Sequence, residues 1–189
     1  MREALTPMEI SENLQKLKRT LSRAEFERKF PSPWLVRELD EDERPALFRT
    51  MVTAPRRPGG TPPPPSTPRP PIPADGLVRH ICEDPGRFGL YPLSKTGTNP
   101  WSDRVLVGRA SNNDIVLRND RISKLHAYFQ LGARGIWRIY DARSANGTRV
   151  DGVAVPPGEA GVAIRPGQIV MFGTVATELV DSATLYDSL

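Results

Sequence analysis

From residue 87 onward, apolar positions come in short runs that turn residues repeatedly interrupt. Runs fall at Phe88–Leu93, Arg104–Val107, Asp114–Leu117, His126–Leu131 and Ile136–Tyr140. Further runs lie at Thr148–Val150, Val153–Val155, Gly161–Ile164, Gln168–Phe172 and Thr174–Val180. Such lengths suit strands, not helices. Asp151-Gly152 between two of the runs is a strong hairpin signal. Pro166-Gly167 and Gly173 mark further turns. Many short strands without intervening helices predict an all-β, antiparallel sandwich or barrel.

The N-terminal pattern is different. Ile10, Leu14, Leu17 and Leu21 recur at steps of four, three and four, which places them on one helical face. The spacing predicts a helix over Thr6–Phe30, with Thr6, Pro7 and Glu9 as its start and Pro31 and Pro33 as its stop. Ser22-Arg23-Ala24-Glu25 repeats the capping pattern, so the helix breaks or restarts there. Weaker helical signals lie at Trp34–Leu39 and Pro45–Met51. The segment reads as a packed helical appendage, as an amphipathic docking element, or as disorder.

Composition divides the chain. Of its 20 prolines, ten lie between Pro55 and Pro73. Residues without a backbone N–H and with fixed φ favour extended polyproline II. About 20 residues at ~3.1 Å each would span roughly 60 Å. The expected organisation is a helical N-terminal segment (1–53), a Pro-rich linker (54–76) and a β-sandwich domain (77–189, core about 87–182). The linker reads as a spacer, with a polyproline ligand as the alternative.

A single cysteine, Cys82, rules out an intrachain disulfide framework, and with only His80 and His126 beside it no zinc site is expected. No metal, cofactor or redox chemistry is indicated. No signal-peptide run and no membrane-spanning stretch is read in the sequence, so a cytoplasmic setting is expected. The net charge of +4 is unevenly spread. Between Arg109 and Arg149 there are 8 basic and 3 acidic residues, a local +5. That excess points to an anionic partner at one face, without the charge block of a nucleic-acid tail.

Three motifs lie inside that basic stretch, each at a strand–turn junction: Val107-Gly108-Arg109, Ile122–His126 (ISKLH) and Ser144–Thr148 (SANGT). They assemble the donors that a phosphate ester needs. Such an ester carries about −1.5 to −2 charge and three strong acceptors. Arg109 supplies a planar fork, Ser123 a hydroxyl and a backbone N–H, and Lys124 a mobile point charge. Asn146 precedes Gly147, a pair that tolerates positive φ and leaves an amide to read another chain's backbone. Gly108 frees the turn at the strand end. A Ser123–His126 nucleophile–base pair is disfavoured by an offset of three along a strand, and no acid stands ready to orient the histidine. His126 therefore reads as a structural histidine. Trp137, Phe129 and Phe172 read as core. Arg118, Arg121 and Arg143 read as solvated charge, or else as steering groups for acidic ligand residues.

VGRASNNDIVL, ISKLHAYF, SANGTRVDGVAV and the closing IRPGQIVMFG resemble the forkhead-associated (FHA) domain family over roughly residues 87–182. The resemblance implies an eleven-stranded β-sandwich that binds phosphothreonine peptides through loops at one end. It implies phosphate contacts from Arg109 and Ser123, a neighbouring contact position at Lys124, and a main-chain contact from Asn146. Gly108, His126 and Gly147 would shape the loops. Ala145 stands where the family often has threonine or serine, which removes one hydroxyl contact.

The expected function is a non-enzymatic phosphothreonine-binding adaptor downstream of a Ser/Thr protein kinase. The ligand would be a phosphothreonine-containing protein or the chain's own N-terminal segment, where Thr6, Thr20, Thr50, Thr53, Thr61 and Thr67 lie. The alternative is a phosphate-independent structural or oligomerisation module docking through a sandwich face or the N-terminal helix. Nucleic-acid binding is disfavoured, since basic loops here lack interleaved aromatic residues.

Overall fold

The computed structural model describes residues 16–40, 43, 74–158 and 160–189. Eleven strands among these residues form two sheets. In chain order they are β1 (Trp34–Glu38), β2 (Phe88–Pro92), β3 (Val105–Gly108), β4 (Ile115–Val116), β5 (Ala127–Leu131) and β6 (Trp137–Asp141). The series continues with β7 (Thr148–Val150), β8 (Val153–Ala154), β9 (Val162–Ala163), β10 (Ile169–Phe172) and β11 (Val175–Val180). The first sheet runs β2-β1-β11-β10-β7-β8 and the second β4-β3-β5-β6-β9. Neighbours pair antiparallel except β3 with β4, where Val107 faces Ile115 in parallel register. The expected β-sandwich is the observed fold.

Alternation decides which residues enter the space between the sheets. Leu35, Val170 and Phe172 from the first sheet meet Val107, Phe129 and Ile139 from the second, all essentially fully buried. Phe129 and Phe172 cross edge to face with centroids 6.4 Å apart.

Ten of the eleven strands fall on the expected runs. The eleventh corrects a helix expectation: Trp34–Leu39 supplies β1, an interior strand between β2 and β11. Its sequence hides the alternation because both faces are buried. Leu35 points between the sheets, while Trp34 and Val36 join a second core on the outer face. Arg37, only 1% exposed, forms an ion pair with Glu43. The first sheet therefore combines residues from both sides of the Pro-rich stretch. The Pro45–Met51 helix, Ala54–Pro73 of the linker and residues 6–15 of the first helix lie outside the described residues.

The second core is built by helices. Residues 16–20 are helical and break at residues 21–22. Helix α1 (Arg23–Lys29) restarts behind Ser22, whose hydroxyl accepts from Glu25 N while the Glu25 carboxylate accepts from Ser22 N at 2.8 Å. This is the capping box expected at Ser22–Glu25. Phe26 of α1 packs with Trp34, Leu77, Ile81 and Leu185. Leu77 belongs to a 3-10 helix (Ala74–His80), and Leu185 to a C-terminal helix, α2 (Ser182–Ser188). Helix α2 is capped by Asp181, which accepts from Thr184 N at 2.7 Å. It was not among the expected elements, though Asp181 at a cap position and Leu185 four residues before Leu189 are its sequence signals. Phe26 of α1 is thus spent inside the molecule, while Ile10 and Leu14 of the face marked for docking lie outside the described residues.

Candidate functional site

The three motifs meet at one end of the sandwich. Arg109 follows β3, Ser123 and Lys124 precede β5, and Asn146 precedes β7. Backbone hydrogen bonds tie these loops together. Arg109 N donates to Ser123 O at 3.0 Å, and Ala110 N donates to Lys124 O at 3.2 Å. Gly108 is needed for this approach rather than for a sharp turn. It lies within β3 with ordinary φ, and a Cβ there would run into Lys124 O and stand 2.9 Å from Asn113 Nδ2. Gly147 has φ +73°, the left-handed region that glycine adopts freely.

His126 joins two of the loops from beneath. It is fully buried, with its ring edge-on to Phe172 at 5.7 Å. Ser123 N donates to His126 Nδ1 at 3.1 Å, which makes Nδ1 an acceptor and leaves the hydrogen on Nε2. Nε2 then donates to Gly147 O at 3.1 Å. Burial lowers the histidine's pKa, an effect that the Gly147 bond and the Asp141 charge only partly offset. The ring is therefore a neutral strut between the Ser123 and Gly147 backbones. Its partner in Ser123 is the backbone N–H and not the hydroxyl, so no nucleophile–base pair exists.

Asp141 holds the third loop. Its carboxylate accepts from Ser144 N at 2.9 Å, Ser144 Oγ at 2.7 Å and Thr148 Oγ1 at 2.6 Å. Burial alone would raise its pKa, but these donors, with Thr148 foremost, hold it below the usual value.

Above this satisfied frame lie groups with hydrogen-bonding capacity to spare. Ser123 Oγ accepts from Ala145 N at 3.0 Å. That commits an oxygen lone pair and leaves the hydroxyl hydrogen to be donated elsewhere. The backbone N–H of Ser123, also expected to be available, is instead used by His126. Asn146 Nδ2 donates to Arg121 O at 2.7 Å, which fixes the amide and leaves Oδ1 and a second N–H open. The guanidinium of Arg109 and the ammonium of Lys124 are exposed, with no side-chain partner among the described residues. Arg118, Arg121 and Arg143 are likewise exposed around these loops without acidic partners. The structure thus gathers two cations, a hydroxyl and an amide on one hydrogen-bonded set of loops. All four were marked in the sequence. Asn113, buried beneath them, was not.

Among the described residues there is no cluster of three His, Cys, Asp or Glu side chains that could hold a metal, and no helix long and apolar enough to cross a membrane. Cys82 is free and exposed.

Residues 105–173 match the family model of the FHA domain. No curated protein sequence matches the chain. Among solved structures, the chain is similar to Mycobacterium tuberculosis EmbR in complex with a low-affinity phosphopeptide, at 24% identity and a TM-score of 0.39. That likeness covers 49% of this chain and 21% of EmbR, so this chain spans about a fifth of that protein. It is also similar to the FHA domain of CT664 from Chlamydia trachomatis, at 20% identity, a TM-score of 0.45, and coverage of 79% of this chain and 98% of that one. A third likeness is to the N-terminal FHA domain of S. cerevisiae RAD53P in complex with a phosphothreonine peptide, at 20% identity and a TM-score of 0.43, covering 56% and 94%.

Proposed function

We propose that this chain, an FHA-domain protein by its match over residues 105–173, is a phosphothreonine-reading adaptor without catalytic activity of its own. The observation that carries the reading is the state of Ser123. Its oxygen is engaged by Ala145 N–H, so its proton is left for an anion, and its carbonyl is bound by Arg109 N–H. Arg109, on the loop bonded to it, and Lys124, its chain neighbour, are exposed and without a side-chain partner among the described residues, in a local excess of positive charge. Charge-assisted bonds of this kind contribute about 1.5–3 kcal/mol each.

Arg109, Ser123 and Lys124 hold the phosphate, and the open Oδ1 and N–H of Asn146 read the ligand's main chain. Gly108, His126 and Gly147 keep the loops in place. The ligand is a segment phosphorylated by a Ser/Thr protein kinase, on another protein or in this chain's own N-terminal part.

The test is the binding of immobilised peptide libraries carrying phosphothreonine, phosphoserine or unmodified threonine. Retention of the phosphothreonine library, lost on phosphatase treatment, is expected. Equal retention of phosphorylated and unmodified libraries would contradict the reading and favour phosphate-independent docking through a sandwich face.

A further inference from the structure

Beneath the exposed donors lies Asn113, from the run Ser111-Asn112-Asn113-Asp114 that the sequence marks only as a turn. It is 3% exposed, an unusual place for an amide. Its Nδ2 donates to Ala110 O at 2.8 Å and to Lys124 O at 2.7 Å, so both amide hydrogens are used. One acceptor lies in the loop that begins with Arg109, the other in the loop that carries Ser123. Asn113 N also donates to Ala110 O at 3.2 Å, so the residue grips its own loop twice and the neighbouring loop once. Gly108 keeps this space clear.

We propose that Asn113 is a positioning residue for anion binding, setting the separation of Arg109 from Ser123 and Lys124 without touching the ligand. The inference rests on the phosphate-reading role proposed above. Its geometry is specific. The amide bridges Ala110 O and Lys124 O, one on each loop, and only a side chain with two donors on one nitrogen can do so at this length. With the bridge in place, Arg109 N and Ala110 N meet Ser123 O and Lys124 O. Without it, the same loops are joined only by those two backbone bonds and the shared frame. An anion binding between them would first have to order them.

The adjacent Asp114 provides the contrast. Its side chain is fully buried but faces the other way, accepting from Leu106 N, Thr96 N, Asn99 Nδ2 and Lys95 Nζ at 2.7–2.9 Å. It fastens the β2–β3 connection and touches neither Ala110 nor Lys124. Adjacent buried residues thus hold different parts of the molecule.

The experiment uses the full chain as parent, Asn113→Asp, Asn113→Ala and Asp114→Asn. Asn113→Asp keeps the shape but sets a carboxylate against two carbonyl oxygens. Asn113→Ala is the milder variant, should the first not fold. Two readouts are taken: amide exchange at Arg109 and Ala110 without ligand, and affinity for the phosphothreonine library. Exchange at both amides is expected to rise at least tenfold in the Asn113 variants. Affinity should fall tenfold or more. In a double-mutant cycle, Arg109→Ala should cost less in the Asn113→Ala background than in the parent. Asp114→Asn should lower the melting temperature while leaving the folded protein's affinity within about twofold. Unchanged exchange at Arg109 and Ala110 in a folded Asn113 variant would overturn the proposal. So would an affinity loss fully additive with Arg109→Ala. A parent that bound none of the phosphothreonine library would instead overturn the phosphate-reading role, while the exchange result would still report on the bridge.

Discussion

The edge built by β1 and β2 and the loop end of the sandwich treat charge in opposite ways. At the edge, Arg37 and Arg87 are almost fully buried and each has a carboxylate: Glu43 for Arg37, and Glu38 for Arg87 at 2.6 Å. Glu178, also buried, accepts from Val78 N at 3.0 Å. At the loop end, Arg109, Arg121, Lys124 and Arg143 are exposed and no carboxylate among the described residues pairs with them. Of the three acids between Arg109 and Arg149, Asp114 and Asp141 are turned inward and saturated by hydroxyl, amide and lysine donors, and Asp120 is exposed. Buried charges must be paired to be tolerated, so the edge expresses folding. Exposed cations held together by a rigid, satisfied backbone have no folding role of that kind. Under the proposed function they have another role, the capture of an anion from outside.

The sharpest way to break this contrast is to attack the edge. Trp34→Ala should cost about 4 kcal/mol of stability, since it removes a buried indole and its hydrogen bond to Ser182. Chemical denaturation measures this, and a loss below about 1 kcal/mol would mean that β1 is not integral to the sandwich. At the loop end the pattern should invert. Arg109→Ala should weaken phosphothreonine-peptide binding by about 2 kcal/mol or more while moving stability by about 0.5 kcal/mol or less. Calorimetric titration and thermal melting on the same samples separate the two numbers.

Ser123→Ala should fall between these cases. It removes the donor for the anion and also the acceptor for Ala145 N. Losses of about 1 kcal/mol are expected in both affinity and stability. A loss in stability alone would make Ser123 a loop fastener and nothing more.

The smallest effect concerns pH. His126 has its pKa lowered by burial, so on unfolding it takes up a proton that the folded protein refuses. Its contribution to stability is therefore complete above 6.5, its ordinary value, and is lost as pH falls from there through the lowered folded value. Asp141 contributes in the same direction at lower pH. Its depressed value makes its contribution complete above 3.8, to be lost as pH falls below that. Melting temperatures of the ligand-free protein should decline from pH 7 to pH 5, less so in His126→Phe. A flat profile would mean that the ring is not held neutral between Ser123 N and Gly147 O.

The two regions also differed in how openly the sequence declares them. The loop end was legible because its residues act near their own positions in the chain: a strand run, then Arg109, Ser123 or Asn146 at its edge. The edge was not, because β1 lies about 50 residues before its partner β2, and burial on both faces of Trp34–Glu38 removes the alternation that marks a strand. Helix propensity had no competitor until those partners were known. Asn113 was missed for a related reason. Nothing in Asn-Asn-Asp says which amide is turned inward, and only the approach of Lys124 O shows it.

The most direct measurement is a residue-resolved NMR titration of the full chain with phosphothreonine peptides and their unphosphorylated counterparts. Saturable shifts are expected at Arg109, Ser123, Lys124 and Asn146 with the phosphorylated peptides alone, and little change along β1 and β2. Shifts of equal size with unphosphorylated peptides, or shifts confined to the β1–β2 edge, would contradict the phosphate-reading role.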